Sequence, residues 1–147
     1  LAGAEMPQSS GLELEVRYRD KRGNLLNPTQ VTQGTDLMTE VSLRNTGLQG
    51  DYRDLALSQV FPSGWEILNT RLDETQQYYK NDPMDYQDIR DDRVYTYFGL
   101  KAGEKKTFTL LLNAAYQGKF YQPAVSVQAM YDNSIRANNQ GGWVEVK

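Results

Sequence analysis

The stretch from residue 88 to residue 132, DIRDDRVYTYFGLKAGEKKTFTLLLNAAYQGKFYQPAVSVQAMYD, decides the fold because apolar and polar residues alternate through much of it. Successive side chains of a β-strand point to opposite faces of the sheet, so a period of two indicates a strand with one buried face. On this pattern the stretch contains three strands, which are residues 94–100, 108–114 and 125–131.

The same alternation continues on either side of this stretch. It predicts strands at residues 12–18, 37–43, 55–61 and 65–67, and a short last strand at residues 143–146. Turn signals such as the Asn-Thr-Gly of residues 45–47 separate the strands, and helical periodicity is lacking. We therefore predict an all-β, antiparallel, immunoglobulin-like β-sandwich of about seven or eight strands.

The chain of 147 residues fits one domain with a real hydrophobic core. Residues 1–10 are mostly small and polar, and we predict that they are a linker or the tail of a preceding domain. Residues 11–147 are predicted to form a single sandwich domain. Because the first residue is Leu1 rather than a methionine, we expect the chain to be a fragment of a larger protein.

Cysteine and histidine are both absent from the sequence. Their absence excludes Cys and His nucleophiles, His general bases, disulfides and the Cys/His sites that hold structural zinc. None of the 19 acidic residues is marked out by a hydrophobic setting for glycoside hydrolysis. We therefore expect no enzymatic activity and no cofactor.

The overall charge and hydropathy exclude two further classes of partner. A formal charge of −3 is too small to direct the chain to nucleic acid or to an anionic membrane. No apolar run approaches the roughly 18 residues that a membrane span needs, so we expect no direct membrane insertion of this segment.

The polar segment of residues 73–87, DETQQYYKNDPMDYQ, is predicted to be a long exposed loop, and loops of this length are often functional. It carries Tyr78, Tyr79 and Tyr86, and tyrosine is enriched at protein interfaces because it joins a large ring to a polar hydroxyl. Two other interpretations stay open. The rings could stack on sugars, as in a carbohydrate-binding module, or they could cover an edge of the sheet.

Residues 82–92 carry five aspartates, whose oxygens are the ligands that calcium prefers. Their spacing does not match the calcium-binding loop pattern, and arginines lie between them, so calcium is the less favoured alternative. We favour a structural motif in which aspartates cap turns and pair with arginines at the start of the strand 94–100. Its residues are Asp88, Arg90, Asp91, Asp92 and Arg93.

Several different short motifs follow one another along the chain, each occurring once. The set comprises LEVRYRD at residues 14–20, VTQGTD at 31–36, FPSGWEI at 61–67, DIRDDRV at 88–94, Phe98, Gly103, G-x-F-x-x-P at 118–123 and AMYD at 129–132. In these motifs the chain resembles the C-terminal macroglobulin-like domain of bacterial alpha-2-macroglobulins. The resemblance covers residues 10–147, and its second half is the more specific.

The resemblance implies a macroglobulin-type sandwich that is a non-catalytic part of a large protease-trapping chain. In that family a separate helical domain carries a Cys-Gln thioester, and the terminal domain packs beside it and shields the reactive bond. The partners so implied are the thioester-bearing domain of the same parent chain and, through the parent, target proteases. The implied location is periplasmic or envelope-associated, as part of a membrane-anchored or secreted chain.

Two hypotheses about function follow from the sequence. The first places the contact with the thioester-bearing domain on the loop of residues 73–87 and on an aromatic edge near Tyr121 and Tyr131. The alternative is a cell-surface immunoglobulin-like module for adhesion or carbohydrate binding, which should bind glycans in isolation, whereas a scaffold domain should not.

Overall fold

The computed structural model describes residues 8–68 and 81–147 of the chain. Within these ranges all regular secondary structure is β-strand, so the all-β prediction is confirmed. In chain order the strands are β1 (Gln8–Ser10), β2 (Leu12–Arg19), β3 (Gln30–Val31), β4 (Asp36–Asn45), β5 (Tyr52–Val60), β6 (Glu66–Ile67), β7 (Tyr86–Ile89), β8 (Arg93–Leu100), β9 (Lys105–Asn113), β10 (Gly118–Gln122), β11 (Ser126–Ala129), β12 (Asp132–Asn138) and β13 (Gly142–Val146). The same residues contain no helix long and apolar enough to cross a membrane.

The strands form three sheets. A six-stranded sheet has the order β1-β12-β11-β5-β8-β7, and a four-stranded sheet has the order β2-β4-β9-β6. A smaller sheet has the order β10-β13-β3. Every ladder is antiparallel except that of β13 with β3, so the antiparallel sandwich is confirmed.

Each of the eight predicted strands overlaps an observed one, but the described residues contain thirteen strands rather than seven or eight. The strands that the sequence did not predict are β1, β3, β7, β10 and β12. They are two to seven residues long. Such short segments carry too few apolar positions to show a period, and pairing with distant neighbours decides their conformation.

The main core lies where the six-stranded and four-stranded sheets face each other. Leu57 of β5, Val41 of β4 and Phe98 of β8 are fully buried there, and Phe108 of β9 is 1% exposed. The rings of Phe98 and Phe108 meet edge to face with centroids 4.9 Å apart. Burying each such side chain contributes about 1.5–3 kcal/mol, so these alternating apolar positions stabilise the sandwich.

A second buried cluster lies at the other end of the sandwich, and the three-stranded sheet closes it. Trp65 and Phe61 pack there with Leu110 of β9, and β13 contributes Val144 and Val146. All five are at most 4% exposed. The last strand is therefore part of the core rather than an appendage to it.

Residues 8–10 differ from the predicted linker because they form β1. This strand pairs with β12, from Gln8 opposite Asn138 to Ser10 opposite Arg136. Without β1, β12 would be the edge of the six-stranded sheet, and the pairing satisfies its backbone groups. The rest of the predicted linker, residues 1–7, lies outside the described residues.

Two predicted boundaries are wrong, because a turn and a strand pairing that the alternation does not reveal set the observed ones. The strand predicted at residues 125–131 ends at Ala129, because Met130 and Tyr131 form the turn into β12. The loop predicted at residues 73–87 does not extend to Gln87, because Tyr86 and Gln87 belong to β7 and pair with Tyr97 and Thr96 of β8. The part of that loop before Asn81 lies outside the described residues.

Candidate functional site

The structure places the three described interface candidates, Tyr86, Tyr121 and Tyr131, on three different elements. Tyr86 lies on β7, at one edge of the six-stranded sheet, and stacks on Tyr97 with ring centroids 5.9 Å apart. Tyr121 lies on β10 in the three-stranded sheet, and Tyr131 lies in the turn between β11 and β12. Tyr78 and Tyr79 are outside the described residues, so their interface role stays a prediction.

The DIRDDRV motif forms the connection between β7 and β8. Arg90 Nε lies 3.1 Å from Asp88 Oδ2, and Arg93 Nε lies 2.9 Å from Asp92 Oδ1. The Arg93 guanidinium holds the pKa of Asp92 below its usual value. The Arg90 amide also donates to the Arg93 carbonyl at 2.8 Å, which closes the turn, while Asp91 is exposed at its tip.

Asp88 and Asp92 of this motif are thus ion-paired with neighbouring arginines. The described residues contain no group of three or more carboxylates placed to hold a metal ion. Asp92 also accepts a backbone hydrogen bond from the Phe61 amide at 2.8 Å, which ties the motif to the end of β5.

The turn between β11 and β12 presents two large side chains to solvent. Met130 is 64% exposed and Tyr131 is 49% exposed. Tight turns favour Gly, Asn, Asp and Pro for conformational reasons that do not apply to Met or Tyr. Met130 and Tyr131 therefore form an exposed apolar pair at this turn. We call Met130 and Tyr131 the tyrosine tip.

Strand β5 supports the tyrosine tip from the side. The pairing of β5 with β8 shifts register between Tyr52 and Leu55, and Asp54 in this bulge has a φ of 52°. The Asp54 carbonyl accepts a hydrogen bond from the Met130 amide at 3.0 Å. Arg53 places its guanidinium carbon 5.5 Å from the centroid of the Tyr131 ring, which is cation–π geometry.

Strand β12 supports the tip from the other side. The Asp132 carboxylate accepts hydrogen bonds from the Ser134 amide at 2.9 Å and from the Ser134 hydroxyl at 2.6 Å. These bonds lower the pKa of Asp132. The Gln128 side-chain Nε2 donates to Asn133 Oδ1 at 2.6 Å across the hairpin. The tip is therefore mounted on an extensively hydrogen-bonded hairpin.

A second aromatic pair lies on the outer face of the three-stranded sheet. Tyr121 and Trp143 are directly opposite each other, and their rings meet edge to face with centroids 5.5 Å apart. Trp143 is 54% exposed. Lys119 and Glu145 form the next pair along the same face.

The outer face of the four-stranded sheet has a different chemistry. An open groove of about 520 Å³ is lined there by Arg19, Lys21, Met38 and Glu40 among others. Two ion pairs lie at this groove: Arg19 is 3.3 Å from Glu40, and Lys21 is 2.9 Å from Asp36.

Sequence analysis named Tyr131 and Tyr121 as interface candidates but did not name Met130, Trp143 or Arg53. Met130 had no clear signal, because the alternation placed residues 125–131 in one strand and β12 was not predicted. Arg53 had no signal either, because its place over the Tyr131 ring depends on a bulge far upstream in the chain.

Comparison with known proteins gives a consistent picture. Residues 11–133 match the family model described as the bacterial alpha-2-macroglobulin MG10 domain. An alpha-2-macroglobulin homolog of Yersinia pestis is 29% identical over 154 aligned residues, which cover 90% of this chain and 8% of the relative. An alpha-2-macroglobulin of Rickettsia conorii is 30% identical over 127 residues, which cover 83% of this chain and 6% of the relative.

Solved structures show the same fold. Salmonella alpha-2-macroglobulin reacted with methylamine superposes with a TM-score of 0.84 at 22% identity, over 98% of this chain and 10% of that one. Escherichia coli alpha-2-macroglobulin activated by porcine elastase superposes with a TM-score of 0.86 at 17% identity, over 98% of this chain and 14% of that one. The chain thus spans less than a tenth of the length of the curated relatives named above.

Proposed function

This chain belongs to the MG10 domain family of bacterial alpha-2-macroglobulins, and we propose from that premise that it is a non-catalytic domain which shields the thioester-bearing domain of a protease-trapping parent protein. The observation that carries the proposal is the tyrosine tip, an exposed Met130 and Tyr131 on a firmly held hairpin. The tip would pack on the thioester-bearing domain beside the reactive bond.

The chemistry of a thioester explains why such a cover is needed. A thioester is attacked by water and by small amines, so it survives only where side chains exclude them. Met130 and Tyr131 offer apolar surface of suitable size, and the Tyr131 hydroxyl can still find a polar partner at the interface. This chain contains no cysteine, so the thioester would belong to another domain of the parent.

The relatives support this placement. The Salmonella protein reacts with methylamine, a small nucleophile, and the Escherichia coli protein is activated by a protease. A trap that a protease activates needs contacts that hold its resting state more strongly than its activated state, because only differential contacts bias such an equilibrium. We propose that the tyrosine tip makes a contact of this kind.

We propose the same partners and place for the parent as its family implies. Its partners would be its own thioester-bearing domain and the proteases that it traps. The parent would lie in the periplasm or at the bacterial envelope, as a membrane-anchored or secreted chain. Tyr78 and Tyr79 would extend the contact from the loop of residues 73–87.

The runner-up function is a surface module for adhesion or carbohydrate binding. The exposed pair of Tyr121 and Trp143 favours it, because aromatic faces stack on sugar rings. Glycan binding by the isolated chain, lost in Trp143→Ala, would support this alternative. A scaffold domain should bind no glycan.

The proposal is tested in the full-length parent with the variants Met130→Ala and Tyr131→Ala. Burying an aromatic side chain contributes about 1.5–3 kcal/mol, so we expect methylamine incorporation about tenfold faster or more in Tyr131→Ala. Tyr116→Ala is the matched control, because Tyr116 is 56% exposed but hydrogen-bonds to Glu66 rather than joining the tip. Incorporation rates equal to wild type in both tip variants would contradict the proposal.

A further inference from the structure

We propose that Arg53 and Asp54 are positioning residues, which hold the tyrosine tip in its docking geometry before the partner domain arrives. The inference rests on the function proposed above and adds a part of the molecule that the family motifs do not include. Two independent observations carry it: the backbone conformation of Asp54 and the place of the Arg53 side chain.

Asp54 is the one non-glycine residue with a positive φ in the described ranges. An L-residue pays a steric penalty in this left-handed region, and such strain persists only where the surroundings over-determine it. The bulge in β5 changes how this strand contacts the β11–β12 turn. The ladder of β5 with β11 ends at Leu55 opposite Ala129, and the turned Asp54 carbonyl reaches past it to the Met130 amide.

Arg53 acts on the side chain of the tip. Its side chain is 83% exposed, and its guanidinium carbon lies over the Tyr131 ring, 5.5 Å from the centroid. The guanidinium also lies 4.0 Å from the Asp54 carboxylate. With one face of the ring covered by Arg53, Tyr131 has fewer orientations to lose when it docks, which lowers the entropic cost of binding.

The contacts of Arg53 and Asp54 with the hairpin do not serve to bury core side chains. Met130 and Tyr131 add little to the core of the domain, since about half or more of each is exposed. A turn that only joined two strands would use Gly, Asn or Asp without a strained residue on a third strand. A strained support beneath an exposed apolar tip therefore indicates preorganisation for a partner.

The test uses the full-length parent with the variants Arg53→Gln, Asp54→Val and Asp54→Gly. The last two both remove the carboxylate, but only glycine tolerates a φ of 52°. Arg53→Gln alters an exposed side chain and should fold even if Asp54→Val does not. Arg90→Gln is the control, because it removes an exposed, ion-paired arginine from another strand connection.

Two readouts are made on each variant. Hydrogen exchange measured by mass spectrometry on the peptide of residues 126–134 reports how firmly the hairpin is held. Methylamine incorporation reports the shielding. We expect Arg53→Gln and Asp54→Val to increase hairpin exchange and to speed incorporation about twofold to fivefold, as loss of an exposed cation–π contact allows. Asp54→Gly and Arg90→Gln should resemble wild type.

The outcomes separate this inference from the proposed function. Unchanged hairpin exchange in both Arg53→Gln and Asp54→Val would overturn the positioning role. Faster incorporation in Tyr131→Ala but in neither support variant would also overturn it and leave the proposed function standing. A third outcome is faster hairpin exchange in Arg53→Gln and Asp54→Val, with a wild-type incorporation rate in both variants and in Tyr131→Ala. That outcome supports the positioning role and overturns the shielding function.

Discussion

At the residue scale, Gly64 has no side chain, and this lets Phe120 of β10 pack directly against the turn after β5. Gly64 is buried in the turn after β5, and the ring of Phe120 on β10 occupies the space that a Cβ would need. The Gly64 carbonyl accepts a hydrogen bond from the Tyr116 amide at 3.0 Å. The motifs FPSGWEI and G-x-F-x-x-P, which lie far apart in sequence, therefore meet at a single contact.

We predict that Gly64→Ala lowers the free energy of unfolding of this chain by about 1–3 kcal/mol, the usual cost of overpacking. Gly142→Ala is the matched control, because Gly142 has no positive φ and a Cβ there would meet nothing within 4 Å. The double variant Gly64→Ala/Phe120→Leu should recover part of the loss. Urea unfolding measures all three, and equal stability of the two glycine variants would contradict the prediction.

At the scale of elements, one side chain links the four-stranded sheet to the three-stranded sheet. The Tyr18 hydroxyl on β2 accepts a hydrogen bond from the Gln122 side chain on β10. The Tyr18 ring also meets Trp65 edge to face, with centroids 6.2 Å apart. Burial raises the pKa of Tyr18 to about 12, although the bond from Gln122 lowers it somewhat.

Burial of Tyr18 predicts a loss of stability in alkaline solution. The folded pKa of Tyr18 lies above the unfolded value of about 10, so its contribution is complete below pH ~10 and is lost as the pH rises towards ~12. A shift of this size corresponds to on the order of 2–3 kcal/mol. Urea unfolding between pH 9 and pH 12, in steps of about half a unit, should show this loss.

Tyr18→Phe should reduce that alkaline loss, because its side chain carries no hydroxyl proton. The variant should be somewhat less stable than wild type at neutral pH, by about 1 kcal/mol, since Gln122 loses its acceptor. Tyr86→Phe, at a position 62% exposed, is the control and should keep the wild-type pH profile. Identical profiles for Tyr18→Phe and wild type would contradict the assignment.

At the scale of the whole molecule, the sandwich combines a buried core with the exposed tyrosine tip. Its sheets bury their apolar faces against each other, and the tyrosine tip projects from one hairpin. Because the chain spans less than a tenth of its curated relatives, the proposed work of this domain is done on other domains of the parent.

We predict that removal of residues 1–147 from the parent leaves a protein that incorporates methylamine earlier and retains less of a test protease. The reason is that the thioester would lose its cover before a protease arrives. Circular dichroism and size-exclusion chromatography check that the truncated parent is folded. A folded truncated parent that traps protease as well as the intact one would exclude a shielding role.

Local patterns in the sequence determined the main elements of this protein. The alternation along β2, β4, β5, β8 and β9 predicted their places, because a strand with one buried face has an apolar residue at every second position. The motif order also identified the family, and the match over residues 11–133 confirms it. The absence of cysteine and histidine excluded whole classes of chemistry before any fold was known.

Only the tertiary structure decided where the short strands pair and which groups form the candidate site. The sequence placed Tyr131 inside a strand, whereas the structure places it at a turn that the Asp54 carbonyl and the Arg53 guanidinium support. These contacts join segments far apart in the chain, and they exist because a bulge in β5 redirects two residues. No window of neighbouring residues contains that information, since pairing between distant strands determines it.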